Sequence, residues 1–150
     1  MEGRRLAVGK DRTGDYERFL SSLGFQSITI LRLNYQHKAD ADPGIHTWSV
    51  VPKYDFQAKK TSPGKLSGKI VFSIRVQHPD DASRVLFHIA GTILLDYSYD
   101  QELSLTKQMT DTFAAFNIPL NGWPYLREIV SDATNRMGLP PLILGPYIVK

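Results

Sequence analysis

The chain has 150 residues, 42% of them apolar, with two Trp, seven Tyr, seven Phe, no Cys and a net charge of +3. That length suits one domain, and a folded chain of this size buries roughly 68–70% of its unfolded surface. The composition excludes collagen, a long coiled coil and wholesale disorder, and the missing cysteine excludes disulfides, a thiol nucleophile and thiolate metal sites.

One unit over residues 1–150 is expected, with 1–24 as an N-terminal extension that carries a short helix. Met1–Thr13 holds no apolar run able to serve as a signal-peptide core. Val85–Leu95, the most apolar stretch, is far shorter than the roughly 20 residues a membrane helix needs. A soluble, cytoplasmic protein without membrane insertion is therefore expected.

Within Asp15–Leu23, Tyr16, Phe19, Leu20 and Leu23 recur at helical spacing, and Gly24 suits the stop. The stripe is too small to be stable alone, so this helix must dock on something. Phe25–His37 reads as a strand, and Asp42-Pro43-Gly44 as the turn after it. His46–Ala58 alternates, placing Trp48, Val50, Pro52, Tyr54, Phe56 and Ala58 on one face. Pro52 cannot donate to a ladder and points to a sheet edge or a bulge.

Thr61-Ser62-Pro63-Gly64 makes the next turn, and Leu66–His78 alternates again, with Leu66, Ile70, Phe72, Ile74 and Val76 facing inward. His78-Pro79-Asp80-Asp81 turns the chain into Val85–Tyr99, the longest alternation. Gly91, in its middle, hints at a bulge or a close backbone approach. Leu105, Met109, Phe113 and Phe116 then recur at helical spacing, with Asp100 placed to cap and Glu102 in the first turn.

Ile118–Gly122 reads as a loop. Pro124–Met137 is the clearest helix, opened by Pro124 and ended by Gly138. Pro140-Pro141 forbids continuation, so Leu142–Val149 should lie extended. Strands first and helices later give an α+β fold: a four-stranded antiparallel sheet with helices on one side.

Charge is unevenly distributed. Lys53–Arg75 carries Lys53, Lys59, Lys60, Lys65, Lys69 and Arg75 against Asp55 alone. Val76–Asp111 is acidic in turn. These runs are either solvated faces or complementary patches toward subunits or partners.

The search for chemistry yields no catalytic set, no metal site and no cofactor site. His37, His46, His78 and His88 show no ligand spacing. Asp40 and Asp42 begin like a calcium loop, but Val51 stands where the bidentate Glu belongs. Gly64–Lys69 only superficially resembles a phosphate loop, since Ile70 replaces the Ser or Thr that holds magnesium. An enzyme is not expected. Lys53, Lys59 and Lys60 beside Tyr54 and Phe56 leave single-stranded nucleic-acid binding as the rival class, although those aromatics share the inward face.

Trp123-Pro124-Tyr125-Leu126-Arg127-Glu128, followed by Arg136-Met137-Gly138-Leu139-Pro140-Pro141-Leu142-Ile143-Leu144, resembles the SecB family of protein-export chaperones. The form of the second half is similar to the SecB-like chaperones associated with toxin–antitoxin systems. The resemblance spans about Phe25 to Val149. It implies a homotetramer, a dimer of dimers, and an ATP-independent holdase that binds unfolded polypeptides in apolar grooves.

Carried over residue by residue, the resemblance puts Trp123, Tyr125, Leu139, Leu142 and Leu144 in the client-binding groove. Pro124, Arg127, Glu128 and Pro140 become structural, with Arg127 and Glu128 pairing or capping near the helix start. From the residues alone, Leu139–Leu144 stays open between core-closing strand, oligomer interface and groove. The antitoxin of a toxin–antitoxin system is the expected client, and delivery of preproteins to the export machinery is the alternative. Export chaperones carry acidic residues on the exposed sheet face to dock SecA, yet Leu86–Leu94 has none, and the chain stops at Lys150 without the family's SecA-binding tail. Both departures argue against SecA docking.

Overall fold

The computed structural model describes residues 14–38 and 47–148. Residues 14–22 are helical (α1). Four strands follow, β1 (Gly24–His37), β2 (Ser49–Ser62), β3 (Lys65–His78) and β4 (Asp81–Ser98), then α2 (Lys107–Thr112), a π-helical turn (Phe113–Asn117) and α3 (Ile118–Arg136). The strands form one antiparallel sheet in the order β1-β4-β3-β2. The Asp42-Pro43-Gly44 turn, His46 and Val149 lie outside the described residues.

Alternation decides which face is buried. Leu66, Ile70, Phe72, Ile74 and Val76 of β3 are buried beside Phe87, Ile89, Ile93, Leu95 and Tyr97 of β4. Register puts both sets on one face, and the helices cover it. Burying each such side chain contributes roughly 1.5–3 kcal/mol. β2 is an edge strand, as Pro52 requires. Its apolar face is only partly covered, with Val50 exposed and Tyr54 and Phe56 half-buried. Gly91 marks a close approach: a Cβ there would stand 2.6 Å from the Arg32 carbonyl oxygen and 2.9 Å from Phe72 Cζ.

α1 docks through rings. Phe19 is fully buried against Phe113, 5.5 Å between centroids, and Tyr99, 5.6 Å. The Tyr16 hydroxyl donates to Asn117 Oδ1 at 3.1 Å. Asp100 does not cap the following helix. It accepts the Glu102 amide in a turn, and Thr106 takes the capping place by accepting the Met109 amide at 3.1 Å.

Ile118–Gly122 is not a loop but the first turn and a half of α3, and Pro124 sits inside that helix rather than at its start. The π-helical turn makes this possible. The Ile118 amide bonds the Phe113 carbonyl, one residue further back than in an α-helix. Pro119 then falls in the first turn of α3, where a missing N–H leaves little unsatisfied.

Two glycines set the distance between α3 and the sheet. A Cβ on Gly68 of β3 would stand 2.1 Å from Ile118 Cδ1, and one on Gly122 of α3 would stand 2.2 Å from Ile70 Cδ1. Each isoleucine fills the hollow left by the opposite glycine. Gly122→Ala should therefore destabilise the fold by about 1–3 kcal/mol, although alanine is the better helix former. Ile70→Val removes Cδ1 and should recover part of that loss in the double mutant, as read from urea unfolding midpoints.

Candidate functional site

α3 divides the apolar surface in two. Successive helix residues turn by about 100°, so Trp123 and Tyr125 lie on opposite flanks. On the β2 flank, the Trp123 ring meets Tyr54 at 5.4 Å and Tyr147 at 5.2 Å. Phe56 continues this wall, stacked on Tyr54 at 6.1 Å and edge-on to Tyr147 at 6.1 Å. Burial against these neighbours raises the Tyr54 hydroxyl above its usual pKa.

On the other flank, Tyr125 stacks on Phe25 of β1 at 6.2 Å. The helices pack mainly over β2, β3 and β4 and leave much of the inner face of β1 open. Phe25, Ile30, Leu33 and Tyr35 are exposed in consequence. A groove of about 860 Å³ opens there, floored by Ile28, Ile30, Tyr125, Ile129 and Pro141 and rimmed by Glu128 and Asp132. Register shifts leave Gln26 and Leu31 without partners on β4, and such bulges bend an edge strand.

The segment after α3 is held at two points. Gly138, at φ 75°, closes the helix: its amide bonds the Asn135 carbonyl at 3.0 Å and that of Leu139 the Thr134 carbonyl at 3.1 Å. The Leu142 amide then donates to Thr134 Oγ1 at 2.9 Å. Further on, Trp123 Nε1 donates to the Gly145 carbonyl at 2.8 Å. The segment thus folds back beside α3 in extended form.

This arrangement sorts the expected client-binding residues. Trp123, Tyr125 and Leu142 retain open or half-open surface. Leu139 and Leu144 do not: at 6% and 8% exposure they close the subunit core beneath the extended segment. Leu139 packs inward where the helix closes, and further on Leu144 turns inward and Leu142 is half-buried while Ile143, 70% exposed, turns out. Ile143 is an exposed apolar residue of this segment that the motif did not single out. Pro140 is exposed in the segment. Arg127 and Glu128 are exposed in the middle of α3, so neither caps a helix start, and neither forms an ion pair among the described residues.

Thr134 was likewise not singled out. It is fully buried, with its hydroxyl 2.8 Å from the Ser131 carbonyl and 3.1 Å from that of Val130. No group of His, Asp and Glu among the described residues could hold a metal ion. The surface on offer is apolar and ring-rich, bounded by an edge strand. Such a surface suits contact with an extended chain.

No protein-family model matches the chain. No curated protein matches it in sequence. Solved structures do match. A SecB-like chaperone of Mycobacterium tuberculosis, in complex with a ChAD peptide from an antitoxin, superposes with a TM-score of 0.79 at 20% identity. The match covers 89% of this chain and 96% of that one. A protein of unknown function from Streptococcus agalactiae gives a TM-score of 0.47 at 10% identity, over 83% of this chain and 97% of that one. The chain therefore has a SecB-like α+β fold, as its motif implied.

Thr134→Val tests the anchor of the C-terminal segment. It keeps the shape but removes the acceptor of the Leu142 amide, at an expected cost of about 1–3 kcal/mol. Hydrogen exchange at the Leu142 amide should accelerate in the variant by more than global unfolding allows.

Proposed function

We propose that the protein is an ATP-independent holdase chaperone whose client is the unfolded antitoxin of a toxin–antitoxin system. The observation that carries this reading is the fold shared, over 89% of this chain, with a SecB-like chaperone that holds an antitoxin peptide. The surface physics supports it. Unfolded clients differ in side chains but offer the same backbone donors and acceptors throughout. A holdase therefore needs broad apolar contact, and many weak contacts on one continuous surface add up.

In this reading Trp123, with Tyr54 and Phe56, receives client side chains on one flank of α3. Tyr125 receives them on the other, above Ile28 and Ile30. Leu142 and Ile143 extend the contact along the C-terminal segment. Leu139 and Leu144 support that segment from below.

A dimer of dimers fits the two apolar surfaces that remain. Among the described residues β1 ends the sheet with an unpaired backbone edge, and it exposes Leu31. Exposed strand edges invite pairing with a second copy. Separately, Phe116 and Leu120 stand exposed four residues apart on the helical side. One interface gives a dimer, and a second, independent one gives a closed tetramer.

The antitoxin is preferred to export because the open sheet face is basic, whereas SecA docking on an export chaperone uses acidic residues there. The register sends Lys53, Lys69 and Arg75 to that face.

Purified protein should suppress aggregation of a denatured client at a few-fold excess, equally with and without ATP. Tyr125→Asp should weaken client capture by about tenfold while circular dichroism stays unchanged. No protection at several-fold excess overturns the holdase. Co-expression should lengthen the lifetime of an antitoxin encoded beside this gene; specific SecA binding with no such effect would instead favour export.

Light scattering at micromolar concentration should give four times the chain mass. Phe116→Asp with Leu120→Asp should halve it, leaving a dimer.

A further inference from the structure

We propose that the open face of the sheet, away from the helices, docks an acidic peptide segment rich in Asp and Glu. The charge run in the sequence becomes a surface here. Register places Arg32 of β1, Lys53 and Lys59 of β2, and Lys65, Lys69 and Arg75 of β3 on this face. Against them stand Asp55 and Asp96, each already accepting a side-chain hydrogen bond, from Gln57 and Ser27 respectively.

The cations converge at one end. A hollow of about 510 Å³ is lined by Lys38, Lys53, Arg75, His88, Ser73 and Gln36 among others, and by no carboxylate. The pairing is laid out in rows across the sheet. Val51, Arg75, His88 and Gln36 are successive cross-strand neighbours, and Lys53 and Ser73 head the next row. Cross-strand neighbours on one face stand about 4.5–5.5 Å apart, so these donors form a continuous patch. Ser73 Oγ and His88 Nε2 lie 3.0 Å apart and tie the rows together. Lys38, Lys53 and Arg75 have no ion-pair partner among the described residues. Like charges gathered without counter-charges repel one another, and a ligand with several carboxylates relieves that repulsion.

The lining also selects the class of ligand. Single-stranded nucleic acid is held by cations together with aromatic faces on which bases stack. No Phe, Tyr or Trp lines this hollow, because register sends Tyr54 and Phe56 to the opposite face. Side-chain donors spread over four strands suit an extended peptide with repeated carboxylates. The hollow is separated by the sheet from the apolar surfaces of α3, so this docking site and client capture can fail independently.

The probe is a fluorescein-labelled peptide of alternating Glu and Gly, followed by fluorescence anisotropy. The protein should bind it, ignore the matching Lys–Gly peptide, and lose it near 1 M salt, where the Debye length is about 3 Å. Lys53→Glu with Arg75→Glu should weaken binding by about tenfold or more while circular dichroism and client protection are retained. Should that pair fail to fold, Lys53→Gln with Arg75→Gln should weaken binding in the same direction by a smaller factor. Unchanged affinity in the folded variants overturns the proposal. So does tighter binding of a single-stranded oligonucleotide of equal charge, or a change in oligomer mass on charge reversal, which would assign the face to a second copy.

Discussion

Everything on the helical side depends on how closely α3 can approach the sheet. Ile118 occupies the space over Gly68, and Ile70 occupies the space over Gly122. Any side chain at either glycine would stand inside an isoleucine. The approach is reciprocal, so the helix can neither lift nor slide along β3 without emptying one hollow and overfilling the other. With the axis held there, Leu126, Val130 and Ala133 reach the core from successive turns of α3. The π-helical turn serves the same end. It lengthens the chain locally, so that Phe113 reaches Phe19 and Tyr97 while Ile118 still reaches Gly68.

That placement fixes what remains uncovered. One helix held over β3 cannot also shield both edges of a four-stranded sheet. β2 keeps partial cover through its ring contacts with Trp123 and Tyr147. β1 has less, and its apolar inner face opens into the groove beside Tyr125. The exposed apolar surface is thus a consequence of close packing elsewhere. Stability and exposed apolar surface draw on the same helix: its buried stripe holds the core, and its two flanks present Trp123 and Tyr125.

Much of the fold is legible in the sequence because period two survives tertiary packing. Leu66–Val76 and Phe87–Tyr97 alternate without interruption, and both strands lie in the middle of the sheet. Pro52 likewise locates an edge. The helical third is less legible. Pro119 and Gly122 fall in a stretch that reads as a loop, and Pro124 reads as a helix start; in the structure Pro119 sits in a first turn, Gly122 is a packing hollow, and Pro124 lies exposed within the helix. A glycine chosen for close approach looks the same in sequence as one chosen for a turn. The candidate site shows a similar limit. The motif points to Trp123, Tyr125 and Leu142, but it does not separate them from Leu139 and Leu144, which the extended segment turns inward. Nor does it reveal that a buried hydroxyl, Thr134, fixes that alternation through the Leu142 amide.

The extended segment carries the last step from packing to function. Ten residues without regular structure, from Leu139 to Ile148, leave many backbone groups to satisfy. Four hydrogen bonds answer for the critical ones: the two helix-closing bonds at Gly138 and Leu139, the one to the Thr134 hydroxyl, and the one from the Trp123 indole. None of these uses the outward side chains Ile143 and Ile148, which stay exposed. An apolar residue held outward on a pinned backbone loses little conformational entropy when another chain covers it, because its main chain is already ordered. The same segment that closes the core with Leu139 and Leu144 therefore offers Ile143 as a preorganised contact. An extended chain can cover a surface built this way without reorganising the subunit that carries it.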